Sequence, residues 1–370
     1  MSLVAVISGI TGQDGSYLAE LLSEKGYLIY GLVRHSSVNR LERLSLKLQA
    51  YPHLVLKDID LTDSVSIYNL MKDIKARHFP SDGSETVDVV PAKVLEIYNL
   101  AAQSHVKVSF DTPEYTANVD GLGPLRFLEA IRQNDLVKVV RFYQAGTSEL
   151  YGKTQDQPQR ICNESTPFNP CNPYGVAKLY SFWITKNYRD TYGMHASNGI
   201  LFNHESERRG EIFVTRKITL NVARLSRNPG GPPLELGNID ARRDWGHAQD
   251  YVQGMWLIQQ QPMPGDYVLS TGETHSVREF VETAFKVAGV TIEWRGEKEK
   301  ETGHDAVSGR LLVRINPAYY RPAEVDTLIG DSSKAQKLLG WRPCIAFDEL
   351  VGRMVAADLA ATSSRDLPAP

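Results

Sequence analysis

Tyr174 and Lys178 stand four residues apart in Asn172-Pro173-Tyr174-Gly175-Val176-Ala177-Lys178, and an apolar, helix-patterned run follows (Leu179, Tyr180, Phe182, Trp183, Ile184). Positions i and i+4 share a helix face, and Pro173 suits a first helical turn. The spacing therefore predicts a pair at the exposed start of a helix. A free phenol has a pKa of about 10, and a neighbouring ammonium favours its phenolate. Such a pair can take the proton of a hydroxyl near neutral pH. The same spacing also arises from a core tyrosine beside a solvated lysine, so its meaning depends on what else the chain supplies. Thr147-Ser148-Glu149 offers hydroxyls that can hold a substrate hydroxyl and a carboxylate that can exchange a proton. The alternative there is a capped turn with a solvated glutamate.

The elements that must position these groups begin at the first residues. Leu3 to Ser8 reads as a buried strand, Ser16 to Lys25 as a helix and Tyr27 to Val33 as a second apolar strand. Between the first two lies Gly9-Ile10-Thr11-Gly12-Gln13-Asp14-Gly15. Strand, glycine loop, helix and strand within about 30 residues is the context of a dinucleotide fingerprint, although the spacing is G-x-x-G-x-x-G. Glycines allow the tight turn and let backbone N–H groups approach a pyrophosphate at the helix N-terminus. The end of the second strand has no carboxylate for a ribose 2′-hydroxyl but has Arg34, with Asn39 and Arg40 close behind. A guanidinium suits a 2′-phosphate, which points to NADP; a solvated basic turn is the alternative. Further strands are read at Leu54 to Leu56, Val94 to Leu100 and Val137 to Tyr143, with a long helix from Pro113 to Asn134 and a surface loop over residues 78 to 92. Asp60 is placed to reach an adenine, while Asp63 caps the next helix. The alternation predicts an α/β fold, a Rossmann-type doubly wound parallel sheet. Thr147 to Glu149 then falls at the carboxyl end of a strand, where open α/β sheets bind ligands.

Composition narrows the rest. Lys+Arg 41 against Asp+Glu 44 gives a net charge of −3, which argues against a nucleic-acid or membrane-surface binder. No apolar run approaches the roughly 18 residues of a membrane span, and the start of the chain carries no signal-peptide pattern. Cys162, Cys171 and Cys344 form no C-x-x-C. A zinc site is not expected, and a reducing, cytoplasmic setting fits.

With Gly9, Gly12, Gly15, Thr147, Tyr174 and Lys178 in this order, the chain resembles the extended short-chain dehydrogenase/reductase family. Within it, "GITGQDGSYL", "NLAAQSHV", "TSELYG", "LFNHES", "RRDWGHAQDYV" and "YYRPAEVD" resemble the GDP-mannose 4,6-dehydratases. The resemblance implies a lyase of GDP-mannose that uses NADP to remove a hydride and return it. It implies that Tyr174 takes the 4-hydroxyl proton, that Lys178 holds the nicotinamide ribose and lowers the Tyr174 pKa, that Glu149 removes the C5 proton and helps expel water from C6, and that Thr147 orients O4. By motif match the cofactor also meets Gly9, Thr11, Gly12, Gln13, Asp14, Gly15, Arg34, Asn39, Arg40, Asp60, Leu61, Leu100, Ala101, Ala102, Gln103, Ser104, Tyr115, His204 and Arg209. Ser104, Asn203, Lys217, Arg243, Arg321 and Glu324 fall to the substrate, with Arg243 and Arg321 on the diphosphate. A homodimer or homotetramer is implied as well.

After about Glu205 the alternation weakens. Residues 1–204, with a returning segment near 247–260, are read as the NADP-binding domain, 205–360 as a smaller mixed α/β nucleotide-sugar domain, and 361–370 as a flexible tail. The chain departs from the pattern at Cys171-Asn172, where Arg-Ser is usual, at Glu207 in place of proline, at Ile212 in place of asparagine, and in a lengthening near residues 160–163. Glu207 adds an acid beside Arg208 and Arg209, which would weaken an anion site or subunit contact there. An epimerase or 4-keto reductase of the same fold would need Tyr174 and Lys178 but no acid–base Glu149; a non-catalytic NADP-binding scaffold would need neither.

Overall fold

The computed structural model describes residues 2–34, 41–80, 92–152, 161–319 and 327–364. Its centre is a seven-stranded, all-parallel sheet. The chain enters through β1 (Ser2–Ser8), α1 (Gln13–Glu24), β2 (Leu28–Val33), β3 (Leu54–Asp58), α2 (Ser64–His78) and β4 (Ala92–Asn99). A short helix α3 (Val106–Asp111), a helical stretch from Pro113 that widens over Ala117–Leu122, and α4 (Gly123–Gln133) lead to β5 (Val140–Ala145). Then come α5 (Pro173–Tyr192) and β6 (His195–Leu201).

Alternation along the strands explains why helices cover both faces. In β1, Ala5 and Ile7 face one core with Leu18 and Leu22 of α1. Val4 and Val6 face the other, with Ile67 and Met71 of α2 and Phe127 and Ile131 of α4. β4 and β5 repeat the pattern: Tyr98 and Tyr143 join the first core, Ile97 and Phe142 the second. The sequence-predicted Rossmann-type doubly wound sheet is what the chain forms.

Beyond β6, β7 (Asn203–Glu205) pairs in parallel with β9 (Trp245–His247). Between them lie α6 (Val214–Arg227) and β8 (Leu234–Leu236), and after them α7 (Ala248–Gln259) and β10 (Asp266–Leu269). α7 packs back against α1, as expected, but the return is longer than 247–260: β10 joins β6 at the edge of the main sheet. The sheet order is β10-β6-β5-β4-β1-β2-β3. A smaller region follows, with α8 (Val277–Val287), a mostly antiparallel sheet of β11 (Ile292–Arg295), β12 (Thr302–Asp305) and β13 (Leu311–Ile315) with β8 at its edge, and α9 (Phe347–Ser364). Its own core holds Ile218 and Val222 of α6, Phe280 of α8, and Leu350 and Met354 of α9.

One further expectation changes. Residues 361–364 continue α9 and are not a frayed tail, because Ala360 and Ala361 are strong helix formers that extend an already anchored helix; 365–370 lie outside the described residues. The segment after β6, Asn203–Glu205, is the short strand β7. The described residues also omit 81–91, most of the predicted surface loop.

Candidate active site

β5 ends at Ala145, and the chain turns sharply into Thr147-Ser148-Glu149. Thr147 Oγ1 accepts from the Glu149 N–H at 3.2 Å, so the expected cap of a turn forms. Glu149 is nonetheless buried, 9 % exposed, and the reading of it as a solvated residue fails. Its Oε2 accepts from Asn172 Nδ2 at 2.8 Å. Asn172 is the N-cap of α5 and its Oδ1 accepts from the Gly175 N–H at 2.8 Å, while Pro173 occupies the first helical position, where a missing N–H costs nothing. Gly193, at φ 63°, ends the helix in the left-handed conformation that glycine adopts freely.

Tyr174 and Lys178 lie on one face of α5, as their spacing predicts, but they are not exposed: they are 8 % and 2 % accessible. The widened turn over Ala117–Leu122 and the turn over Ser148–Leu150 pack against the helix, contacts from distant segments that no local pattern reports. Lys178 Nζ donates to the carbonyl of Ala145 at 2.9 Å and stands 5.8 Å from the Tyr174 ring centre. Burial pushes the Tyr174 phenol well above its usual range, the Asp120 and Glu149 charges add to that, and a hydrogen bond with Thr147 opposes them. The expectation of a phenol lowered by Lys178 is therefore not met. Burial also lowers the Lys178 pKa, and the charges of Asp120 and Asp14 resist that.

These groups open onto one cavity of about 1130 Å³ between the two halves of the chain. Every described residue of the sequence-predicted site lines it. Gly9, Thr11, Gly12, Gln13, Asp14 and Gly15 form one wall, with Arg34, Asp60, Leu61 and Tyr115 at one end. Leu100, Ala101, Ala102, Gln103 and Ser104 pass beside Thr147, Glu149, Tyr174 and Lys178. Asn203, His204, Arg209, Lys217 and Arg243 close the other side. Asn39, Arg40, Arg321 and Glu324 lie outside the described residues.

The glycine wall fits a dinucleotide. Gly9 sits at φ 70°, and a Cβ there would come within 2.9 Å of Ala101 Cα; a Cβ on Gly15 would reach 2.2 Å from the Gly9 carbonyl oxygen. Gly12 caps α1 without a side-chain hydrogen bond, which leaves first-turn N–H groups for an anion. Asp14 and His204 close this wall as a partly buried ion pair. His204 Nε2 lies 2.8 Å from Asp14 Oδ2, and its Nδ1 lies 2.7 Å from the Phe202 carbonyl. Both ring nitrogens face acceptors, so the ring donates from both as an imidazolium. Burial opposes both charges, and their attraction outweighs it, lowering Asp14 and raising His204. Arg34 donates to the Tyr115 hydroxyl.

On the other side, Lys217 Nζ lies 3.8 Å from the Tyr319 ring centre. Arg243 is buried, with its guanidinium on the Arg242 carbonyl at 2.8 Å. Glu207 does not face Arg208 and Arg209. It turns inward to accept from the Tyr17 hydroxyl at 2.7 Å and lies 3.4 Å from His247 Nε2. Arg208 pairs with Glu20 and Arg209 with Glu205, both at 2.9 Å, so the expected weakening of an anion site by Glu207 has no basis here.

Sequence reasoning missed several contributors. Arg43 lines the cofactor end and donates to the Thr11 carbonyl at 3.3 Å. Lys107 and Tyr319 line the substrate side. Asp120, 1 % exposed, accepts from the Gln103 N–H at 2.7 Å. For Asn172 a signal existed, an N-cap residue directly before Pro-Tyr.

The chain matches the family model described as GDP-mannose 4,6 dehydratase over residues 6–79 and 81–354. It is 53% identical to the GDP-mannose 4,6-dehydratase of Sinorhizobium fredii (strain HH103), covering 96% of this chain and 97% of that one. It is 51% identical to the human GDP-mannose 4,6 dehydratase, over 96% and 91%. Among solved structures, the UDP-glucose 4-epimerase of Thermus thermophilus in complex with NAD superposes with a TM-score of 0.76 at 21% identity, covering 97% of this chain and 100% of that one; at that identity the likeness shows the fold. The matched model and the extent of these relatives establish that the chain belongs to the GDP-mannose 4,6-dehydratase family.

Proposed function

We propose that this protein converts GDP-mannose to GDP-4-keto-6-deoxy-mannose and water, with NADP along the glycine wall. The single observation that carries this reading is a buried Glu149 in one cavity with Tyr174 and Lys178. When bound, NADP supplies a hydride acceptor and donor, so the sugar leaves with no net oxidation. Gly9, Gly12, Gly15, Thr11, Gln13 and Asp14 would hold its pyrophosphate side, Arg34 its 2′-phosphate, and Lys178 its nicotinamide ribose, with Arg209 and the 100–104 segment beside them.

Tyr174 takes the proton of the sugar's 4-hydroxyl as C4 becomes a ketone, and Thr147 orients O4. The ketone acidifies C5–H, and Glu149 removes that proton. The C6 hydroxyl then leaves. Two protons have been collected, one from O4 and one from C5. One departs with the C6 oxygen as water, and the other returns to C5 when C6 is reduced. Arg243 and Lys217 meet the diphosphate as charge-assisted donors, and Asn203 meets the sugar side.

We infer a homodimer or homotetramer, supported by Val176, Tyr180 and Trp183, which are 55 %, 42 % and 52 % exposed along one face of α5. A cytoplasmic setting is supported by the near-neutral charge and by cysteines that form no disulfide among the described residues. No helix among the described residues is long and apolar enough to cross a membrane.

The experiment is Glu149→Gln with GDP-mannose and NADP+, followed by mass spectrometry for loss of one water. Water loss is expected to fall by about 100-fold or more, the scale of general acid–base catalysis, while C4 oxidation persists. Full turnover by that variant would remove Glu149 from its role. A wild-type protein that dehydrates another nucleotide sugar but not GDP-mannose would keep the chemistry and overturn the substrate.

A further inference from the structure

Asn172 stands where the family resemblance leads one to expect serine, and it bridges Glu149 and the first turn of the helix that carries Tyr174. Its amide has one orientation. Oδ1 accepts from the Gly175 N–H at 2.8 Å, so Nδ2 must point the other way, to Glu149 Oε2 at 2.8 Å. Turning the amide over would set a carbonyl against a carboxylate and an NH2 group against an N–H. The side chain is 4 % exposed. Glu149 Oε1, by contrast, has no hydrogen bond among the described residues. Gly175 completes the seat: a Cβ there would stand 3.0 Å from the Glu149 carbonyl oxygen and 3.0 Å from Pro170 Cβ. The first turn of α5, which carries Tyr174, thus rests directly on the backbone of the turn that carries Glu149.

We propose that Asn172 is a positioning residue for Glu149: it fixes one carboxylate oxygen, leaves the other for the substrate proton, and locks the carboxylate in register with the Tyr174 phenol. This rests on the reading of Glu149 as the C5 base. Tyr174 belongs to the helix that Asn172 starts, so loss of this link disturbs proton removal at C5 more than C4 oxidation. The charged and titratable groups that line the same cavity include Tyr174 and Lys178 on α5, Arg209 and His204 after β6, and Asp14 on α1; Asp120, from the widened turn, is buried and acts on Lys178. Asn172 does not titrate, so its donation to Glu149 Oε2 is available at any pH in the working range.

The decisive variant is Asn172→Asp. It retains an acceptor for the Gly175 N–H, and so the helix cap, but replaces the donor to Glu149 with a second carboxylate. Two carboxylates at hydrogen-bond distance share a proton. The acid limb of the kcat profile is expected to move up by about one pH unit or more, with water loss at neutral pH down at least about tenfold. C4 oxidation, read as NADPH absorbance, should survive, and the melting temperature should stay near wild type. Asn172→Ser, able to donate and accept through one hydroxyl, is expected to fall between Asp and wild type with an unshifted acid limb. An Asp variant with a wild-type pH profile would overturn the proposal. So would equal losses in Asn172→Asp and Asn172→Ala that track a drop in melting temperature, because that pattern belongs to a structural cap alone. Glu149→Gln separates the two readings. If it turns over normally, the role of Glu149 falls and this inference with it; if it stops water loss while Asn172→Asp behaves as wild type, only the inference falls.

Discussion

Asp120 shows what a single residue can hide. Nothing in its sequence neighbourhood marks it, yet the widened turn over Ala117–Leu122 buries its carboxylate beside the cavity with Oδ2 lacking a hydrogen bond. Wide helical turns of this kind collect at functional sites. Burial lifts the Asp120 carboxyl to about 6, against the pull of Lys178 and of the Gln103 N–H. The folded protein therefore binds this proton more tightly than the unfolded chain does. The associated stability is full below a pH of about 4 and is lost as pH rises through about 6. Asp120→Asn does not titrate there. Relative to wild type, the Asn variant is expected to gain stability from pH 4 to 6, as urea midpoints at each pH would read; a difference that stays flat across the window contradicts the assignment. The ionised carboxylate resists deprotonation of Lys178, which gives this destabilising group a use. Tyr174, Lys178, Thr147 and Glu149 were legible in the sequence because each sits in a local motif. Asp120, Arg43 and Lys107 were not, because common residue types acquire a place at the site only when distant segments meet; Asn172 was legible only as a cap before Pro173.

At the scale of elements, the strand–loop–helix start of the chain was legible because its constraints are local. Gly15 illustrates how tight they are. Its φ is not in the left-handed region, so backbone freedom is not what demands glycine; space is. An added Cβ would lie 2.2 Å from the Gly9 carbonyl oxygen and 2.6 Å from Ile10 Cα, both backbone atoms that cannot swing aside. Gly15→Ala must push α1 away from β1, a strain on the order of 1–3 kcal/mol for overpacking, and the first-turn N–H groups move with the helix. A lower urea midpoint and at least about tenfold weaker NADP(H) binding, followed by cofactor fluorescence, are expected together. Unchanged NADP(H) affinity in this variant would mean that the glycine wall is not the cofactor cradle. Element boundaries were less legible. The widened turn at 117–122 and the short strand β7 depend on partners far along the chain, on α5 and β9 respectively.

For the whole molecule, the sequence division at residue 204 marks a change of pattern rather than a place where the chain can be cut. The first core is not closed by the segment that precedes it. Val252, Met255 and Ile258 of α7, Tyr267 and Leu269 of β10, and Trp341 are all buried in the cluster that holds Ala5, Ile7, Leu18 and Leu22. Polar contacts stitch the same seam: Trp256 Nε1 donates to the Tyr27 hydroxyl at 3.2 Å, and Gln259 Nε2 donates to the Arg141 carbonyl at 2.9 Å. Each large apolar side chain contributes about 1.5–3 kcal/mol on burial, against a net stability of about 5–15 kcal/mol for a whole domain. Losing all six outweighs that margin. A fragment of residues 1–205 is therefore expected to show no cooperative unfolding by circular dichroism, whereas the full chain unfolds in one urea transition. NADP+ should move that single transition upward, because a ligand that binds only the folded state stabilises everything folded with it. A sigmoidal transition in the fragment, or two transitions in the full chain of which NADP+ moves only one, would show that the halves fold independently and that the cavity between them is assembled after folding.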